Sequence, residues 1–342
     1  MLTVGCSPAP AARHGQASSA PRRDNGPHMH LLVPFAGALP EAGRQALQTL
    51  KLPHLDHLLA RWQAGPPLGS DEFSPNPPHE QAQAAALGWP HEPSTLAQAA
   101  LPWAALAAAA RGLPGARDAA WGLLTPVQLV PGREQIRLAD PADLQLDEAA
   151  SRGLFDAMRP LFDSEGVHLH WAAPLQWLAC HDSLDKLPSA SIDRVIGRHV
   201  DPWLPPQRAA RLLRRLQNEV QMLMYTHPIN DAREAAGLPV CNSVWLSGCG
   251  RLPASWDRAR LPAVDERLRR PALTEDWAAW CEAWQALDAG PLRALPAAGP
   301  DARLTLCGER HAMTWAPAPR SLWQRLAARW QAPDSHAVLE AL

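Results

Sequence analysis

The sequence predicts an α/β protein with a parallel-sheet core and a small inserted α+β subdomain. Three observations lead to this prediction. A short apolar strand at 30–35 is followed by helical segments, the middle of the chain has the order strand, strand, helix, strand, strand, and helices and strands alternate again from Arg208 onward. A parallel sheet requires such alternation, because a crossover helix must return the chain to the start of the next strand. A chain of 342 residues is long enough for one large domain with an insertion.

Residues 1–28 and 29–117 differ in composition. The first 28 residues are rich in Pro, Ala, Ser, Gly and Arg and lack periodicity, so we expect a disordered tail or a misassigned start, with Met29 as the true first residue. Residues 29–117 are predicted to form the first part of the core. Helices are expected at 41–50, 55–62, 79–87 and 96–111, with a Pro/Gly-rich connection at 65–78.

Residues 118–190 are predicted to form the inserted subdomain. The segments 121–130 and 135–139 flank a Pro131-Gly132 turn and predict a hairpin. An amphipathic helix is expected at 147–162, with Leu154, Met158 and Leu161 on its apolar face. Strands at 167–171 and 176–180 complete the unit. His168 and His170 lie two apart on the first of these strands, and an exposed strand face is the favoured interpretation of the pair over a metal site.

Residues 191–342 are predicted to form the second part of the core. Apolar residues recur at helical spacing between Leu212 and Met224, so an amphipathic helix is expected there, ending before Pro228. Asn230 is the predicted N-cap of the next helix, which stops near Gly237. The segment 242–250 then predicts a short buried strand that opens into a glycine loop.

Composition and charge argue against several classes of function. Hydrophobic residues make up 46% of the chain and the formal net charge is only −2, which gives no support to a nucleic-acid groove or a membrane surface. No apolar run reaches the length of a transmembrane helix. The cysteines show no paired spacing, so we expect reduced thiols in a cytoplasmic protein. For Cys249, between two glycines, a buried inert thiol is favoured over a nucleophile.

The segment 212–250 carries the most specific pattern in the chain. An amphipathic helix leads to His227-Pro-Ile-Asn230, a charged helix, Asn242, an apolar strand and Gly248-Cys-Gly250. This arrangement resembles the cofactor-independent phosphoglycerate mutases of the archaeal type. A closer resemblance, over nearly the whole chain after Met29, is to a bacterial offshoot of that family, the RpfE-type regulatory proteins. The resemblance implies an alkaline-phosphatase-like core that carries the inserted subdomain.

The two-metal site of these mutases is expected to be degenerate in this chain. The mutases move a phosphoryl group through a serine with the help of two metal ions, and an Asp directly after the first strand is a metal ligand. Phe35 stands at that place, and no Asp-x-x-x-His follows Gly250. We therefore expect no mutase reaction, no metal ligands and no cofactor. The alternative is an active metal-dependent mutase or a related phosphohydrolase that uses manganese or another divalent ion.

The part of the pocket that faces the substrate is expected to remain. The resemblance places Ser191 to Arg198 near the substrate, and arginine side chains and glycine N–H groups suit phosphate or carboxylate. The predicted ligand is a small phosphorylated or carboxylated metabolite, with a protein partner as the alternative. The predicted ligand-binding residues are Asp193, Arg194, Arg198, His199, His227, Asn230, Asn242, Gly248 and Gly250. A solvated turn explains the arginine-rich loop equally well, and structural roles are favoured for His227 and Asn230.

Four further residues are candidates for a catalytic role. Glu309 and His311 follow an apolar strand, and ligands of open α/β sheets gather at the carboxyl ends of strands. His79 and Glu80 lie at a predicted helix start and could line the same pocket. The favoured function is a regulatory or ligand-binding protein, and a working enzyme that uses these four residues is the competing hypothesis.

Overall fold

The computed structural model describes residues 29–69, 71–89, 96–133, 135–205, 211–317 and 334–342. The predicted tail at 1–28 lies outside them. Within the described residues, strands β1 to β12 span His30–Val33, Trp62–Ala64, Leu68–Gly69, Trp121–Val127, Leu129–Pro131, Ile136–Leu138, His168–Ala173, Gln176–Cys180, Ser243–Gly250, Ala263–Val264, Arg303–Cys307 and His311–Pro317. Helices α1 to α11 span Glu41–Thr49, Pro53–Arg61, Pro78–Ala86, Trp103–Ala110, Glu148–Asp163, Ile192–Val195, Arg211–Tyr225, Pro228–Ala235, Arg269–Leu273, Trp277–Leu287 and Ser335–Glu340.

The first sheet, called the core sheet below, has the order β10–β1–β11–β12–β2, with β3 also paired to β12. The predicted α/β class is confirmed, but in the described part of this sheet parallel pairing is limited to β1 with β10 and with β11. Strand β12 runs antiparallel to β11, β2 and β3. The reason lies in the connection, because only Gly308 to Arg310 separate β11 from β12. A parallel partner would need a crossover of a dozen or more residues.

The core sheet is covered on both faces. Leu31 and Val33 of β1 pack with Leu304 and Leu306 of β11 against helices α1, α2 and α10. Leu32, the residue between them, joins a cluster with Ala82 of α3 on the opposite side. Successive side chains of a strand point to opposite faces of the sheet. A strand that is covered on both faces therefore needs a continuous run of apolar residues.

The second sheet, called the antiparallel sheet below, has the order β7–β8–β4–β9. All three of its pairings are antiparallel. Helices α5 and α7 pack on one face, with Trp177 and Val244 among the buried residues, and α4 packs on the other face against Trp121 and Leu178. Strands β4, β7 and β8 come from the predicted insertion at 118–190. Strand β9 comes from the segment predicted as the second core part, so the antiparallel sheet joins both segments; the boundaries at 118 and 190 stay a prediction.

Three local predictions are corrected. The hairpin involves only Leu129–Pro131 and Ile136–Leu138, because β4 pairs with β8 and β9 instead. The helix predicted at 96–111 is confined to Trp103–Ala110, since Pro102 cannot donate into a helical ladder. The N-cap of α8 is His227, whose side chain accepts from the Ile229 N–H, and not Asn230. Pro228 at the first helical position fixes this start one turn earlier than expected.

The remaining predicted helices are confirmed within one or two residues. Helix α5 starts after Asp147, whose carboxylate accepts from the Ala150 N–H, and α7 ends at Tyr225 before Pro228. Among the described residues, no helix has the length and apolar character needed to span a bilayer.

Candidate functional site

The candidate site lies at the carboxyl edge of the parallel strands of the core sheet. Phe35 follows β1, Asp265 follows β10 and Glu309 follows β11. The parallel register of these strands brings their carboxyl ends to one edge, which is where open α/β sheets bind their ligands. Two other segments reach this edge. They are the start of α3, with His79 and Glu80, and the segment 191–198, called the arginine segment below.

His79 and Asp193 form the centre of a buried line of charges. His79 Nε2 lies 3.3 Å from Asp193 Oδ2, and Asp193 Oδ1 accepts from Arg269 Nε at 3.0 Å and Nη2 at 2.6 Å. Arg269 Nη1 lies 3.6 Å from Asp140 Oδ2. Burial raises the pKa of Asp193, but the hydrogen bond and charge of His79 and the charge of Arg269 outweigh it and hold that pKa below its ordinary value. Asp193 is therefore an ionised, internally neutralised carboxylate.

Glu80 connects the helix start to the arginine segment. Ser191 Oγ donates to Glu80 Oε1 at 2.5 Å, and Trp103 Nε1 donates to Oε2 at 3.0 Å. Burial raises the pKa of Glu80, and the charge of His79 and the two hydrogen bonds only partly offset it. The first turn of a helix suits a carboxylate. Among the described residues, the two donors to this carboxyl group are a hydroxyl and an indole N–H, and burial favours its protonated form.

Arg194 is a buried arginine with a structural role. It is 2% exposed, and its guanidinium donates to the carbonyl oxygens of Ser74, Glu309 and Asp71 at 3.0, 2.9 and 3.2 Å. Burial lowers its pKa to about 10, with a smaller effect from the positive charge of Arg198. Because these backbone carbonyls already occupy its donors, Arg194 ties the arginine segment to two loops of the site.

Arg198 is the accessible arginine of the segment. Its Nη1 donates to the Glu72 carbonyl oxygen at 3.1 Å, and its Nη2 is paired with Glu309 Oε1. The side chain of Arg198 is 35% exposed and that of Glu309 is 32% exposed. Arg310 approaches the same place, with Nε 3.0 Å from Glu72 Oε2. Two guanidinium groups therefore meet at Glu72 on the open side of the edge.

Phe35 occupies the end of β1 in an unusual conformation. Its φ is 56°, in the left-handed region that a bulky residue rarely adopts. Trp280 Nε1 donates to the Phe35 carbonyl oxygen at 3.0 Å, and the Phe35 ring centroid lies 5.6 Å from that of His79. An aromatic ring thus fills the position beside His79. No three His, Cys, Asp or Glu side chains among the described residues are grouped so that they could hold a metal ion.

The structure brings together residues from both predicted groups. His79, Glu80 and Glu309, proposed as a strand-end group, contact Asp193, Ser191 and Arg198, which belong to the arginine segment. Among the described residues, His311 Nδ1 is buried and has no hydrogen-bond partner, and the backbone N–H of His311 donates to the Leu342 carbonyl oxygen at 2.7 Å. His199 lies on the subdomain side, where its ring approaches Ile136 and Asp201.

The other predicted ligand-binding residues lie within the antiparallel sheet and its helices. Asn230 bridges the carbonyl oxygens of Met224 and Cys241 and accepts from the Cys241 N–H. Asn242 exchanges two hydrogen bonds with the backbone of Leu129. Both amides therefore clamp backbone segments to each other, and His227 caps α8.

Gly248 and Gly250 lie against the start of α4. A Cβ on Gly248 would approach Trp103 Cβ to 3.1 Å, and one on Gly250 would approach Pro102 Cβ to 3.3 Å. Both glycines have positive φ, of 61° and 139°. Their contact with the site runs through Trp103, which donates to Glu80. Cys249 between them is fully buried, and burial raises the pKa of its thiol to about 12, which agrees with an inert thiol.

Several residues of the site were not predicted from the sequence. Arg269, Trp103 and Glu72 contact predicted residues, whereas Asp140 and Arg310 pair with Arg269 and Glu72, respectively. None of the five belongs to a recognisable motif. The run of arginines that follows β10 was a possible signal for Arg269, since it comes directly after a core strand. Nothing in the sequence pointed to Asp140, which precedes a 3₁₀ turn in the subdomain.

Comparison with known proteins gives limited results. No family model and no curated protein matches the chain. Among solved structures, the PH0037 protein of Pyrococcus horikoshii is similar with a TM-score of 0.45 and 14% identity, over 85% of this chain and 88% of that chain. The cofactor-independent phosphoglycerate mutase of Thermoplasma acidophilum DSM 1728 is similar with a TM-score of 0.34 and 15% identity, over 92% and 98%. At these TM-scores neither similarity establishes a shared fold.

Proposed function

We propose that the protein binds a small phosphorylated or carboxylated metabolite at the carboxyl edge of the core sheet and acts as a regulatory protein related to the phosphoglycerate mutases. The observation that carries the proposal is the half-exposed Arg198, paired with Glu309 beside Arg310. A ligand carboxylate or phosphate can replace Glu309 as the partner of Arg198 Nη2, because a guanidinium group donates charge-assisted hydrogen bonds to either anion.

The neighbouring groups favour binding over phosphoryl transfer. Transfer between oxygens needs strong charge neutralisation at the reacting group, which two metal ions supply in the mutases that the sequence resembles. The Phe35 ring fills the place of an expected ligand at the end of β1, beside His79. Asp193 is already neutralised by His79 and Arg269. The acids at this edge are thus engaged by the protein's own side chains.

Calorimetry with 3-phosphoglycerate tests the binding proposal. Arg198→Ala should weaken binding about tenfold or more, the size expected for loss of one charge-assisted hydrogen bond of roughly 1.5 kcal/mol or more. Arg215→Ala is the matched control, because Arg215 is an exposed arginine of helix α7 that pairs with Glu165. Equal affinity of the Arg198 variant and the wild type would show that the anion site lies elsewhere.

A coupled assay for the interconversion of 2- and 3-phosphoglycerate tests the absence of catalysis. With Mn²⁺, Co²⁺ or Mg²⁺ supplied, we expect no turnover above background. Metal-dependent turnover that a chelator abolishes would instead support the second candidate, an active mutase or phosphohydrolase. The contact that favours this alternative is the 2.5 Å hydrogen bond of Ser191 to Glu80, which pairs a hydroxyl with a potential base. In that case Ser191→Ala should remove the activity.

A further inference from the structure

A cleft opens beside the carboxyl-terminal end of helix α4. It lies between the turn that follows α4 and the loop that follows β9, and it is called the α4 cleft below. Its open volume is about 590 Å³, within the range of clefts that bind small molecules. The side chains that line it include Leu106, Leu113, Arg117, Asp118, Trp256 and Arg258. None of these six residues belongs to the carboxyl edge of the core sheet.

Backbone hydrogen bonds fix both walls of the α4 cleft. Helix α4 ends where the Leu113 N–H donates to the Ala108 carbonyl oxygen at 3.1 Å, and Gly112 between them has a φ of 68°. A glycine in this left-handed conformation is the usual end of a helix. The other wall is held by the Asp257 N–H, which donates to the Leu87 carbonyl oxygen at 3.2 Å. The cleft is therefore formed before a ligand arrives, which lowers the entropy that binding must lose.

Trp256 provides an aromatic surface in the α4 cleft. Its ring packs against the apolar cluster under α4, which includes Leu101 and Ala105, but the residue is only partly buried. Leu106 and Leu113 are also partly buried and extend this apolar wall. An indole face that remains accessible can stack on a flat ring system of almost any composition.

The charged side chains of the α4 cleft have a positive excess. Arg117 and Arg258 are exposed, and neither forms an ion pair with a carboxylate among the described residues. By contrast, Arg260 in the same 3₁₀ turn as Arg258 pairs with Asp257 at 3.5 Å. Asp118 contributes one negative charge against the two arginines. The lining thus offers two guanidinium groups to an anion and one carboxylate to hydroxyl donors.

We propose that the α4 cleft binds a nucleoside monophosphate. The base would stack on Trp256, the phosphate would accept from Arg117 and Arg258, and the ribose hydroxyls would donate to Asp118. A nucleotide combines a flat ring, an anion and a diol in one molecule, and these are the three groups that the lining can satisfy. The site goes beyond the function proposed for the carboxyl edge and does not depend on it.

The size and chemistry of the lining select against simpler ligands. Inorganic phosphate would use the two arginines but would leave Trp256 and most of the 590 Å³ in contact with water. A purely apolar ring would cover Trp256, but it would take water away from Arg117, Asp118 and Arg258 without replacing their hydrogen bonds. A ligand with both an aromatic and an anionic part satisfies the whole lining.

Titration calorimetry of the full chain with AMP and with adenosine tests the proposal. Arg258→Gln should raise the dissociation constant of AMP about tenfold or more, because the phosphate loses a charge-assisted hydrogen bond, and should change that of adenosine less than twofold. Trp256→Leu should weaken both ligands about fivefold or more, because both stack a base. Arg260→Gln is the matched control and should leave AMP binding unchanged, since Arg260 is 65% exposed and pairs with Asp257.

A further variant guards against a folding defect in Trp256→Leu. Ala254→Trp, at an exposed position of the lining, should weaken AMP and adenosine alike by filling the cleft without disturbing buried residues. Circular dichroism would verify that each variant is folded. The proposal is wrong if the wild type does not bind AMP, if Arg258→Gln binds it as the wild type does, or if Ala254→Trp has no effect. AMP that loses affinity through Arg198→Ala and not through Arg258→Gln would bind at the carboxyl edge, which also overturns the proposal.

Discussion

Ser191 donates a 2.5 Å hydrogen bond to Glu80 from a position 111 residues further along the chain. This contact joins the first turn of α3 to the arginine segment. Beside it, His79 and Asp193 repeat the same connection with a second pair of side chains. The two parallel contacts hold the loop against the helix start, so the geometry of the edge depends on two acids whose pKa values shift in opposite directions.

Glu80→Gln should become more stable relative to the wild type as the pH rises. The folded-state pKa of Glu80 is raised above its ordinary value of 4.5, so the wild type gains stability from the protonated acid below 4.5 and loses it as the pH rises through the folded-state pKa. As the pH rises above 4.5, the difference in the free energy of unfolding should shift in favour of the variant. Urea denaturation measures it, and a constant difference would contradict the assignment.

Asp193→Asn should show the opposite pH dependence. The folded-state pKa of Asp193 is lowered, so its contribution is present above its unfolded value of 3.8 and is lost as the pH falls through the folded-state pKa. At pH 7 the variant should be less stable by about 3 kcal/mol, because His79 and Arg269 lose a buried partner. The gap should narrow below pH 4. A gap that widens on acidification would show that Asp193 does not carry this charge.

Arg194→Met should destabilise the protein whether or not a ligand is present. Loss of the guanidinium removes its hydrogen bonds to the carbonyl oxygens of Ser74, Glu309 and Asp71, of which Asp71 still accepts from the Ser74 hydroxyl. An unsatisfied buried polar group costs about 1 to 3 kcal/mol, so we expect a loss of roughly 3 kcal/mol in thermal or urea unfolding. Arg198→Ala, at a half-exposed position, should lose less than half of that. Equal losses would show that the two arginines do not have the separate roles described.

Gly308→Ala should displace the segment 335–342 from the core sheet. A Cβ at this position would lie 2.5 Å from the Leu342 carbonyl carbon and 2.7 Å from its oxygen, and backbone atoms cannot yield as a flexible side chain can. We expect a loss of about 2 kcal/mol, in the range for overpacking a well-packed site. Gly290→Ala is the control, because a Cβ there meets nothing within 4 Å. A neutral Gly308 variant would mean that this segment packs more loosely.

Much of the fold and part of the site could be predicted from the sequence. Periodicity and caps located α5 and α7, because each buries one apolar stripe that is visible in the chain. The antiparallel β12 could not be foreseen from alternation alone, since its direction depends on the short connection at Gly308 to Arg310. The edge residues His79, Glu80 and Glu309 were expected from the rule for strand ends. Arg269 and Asp140 were not, because charged pairs that form only in three dimensions leave no local pattern.

The separation of strand partners along the chain sets the order in which the two sheets can form. His30 at the start of β1 is hydrogen-bonded to Thr305 of β11, 275 residues away, whereas Leu129 and Asn242, which tie the antiparallel sheet to its hairpin, are 113 apart. Contacts between distant residues form slowly because a long loop must close first. During synthesis from the ribosome the antiparallel sheet can assemble first, whereas the apolar Leu31 to Val33 stay unpaired until β10 and β11 have been synthesised.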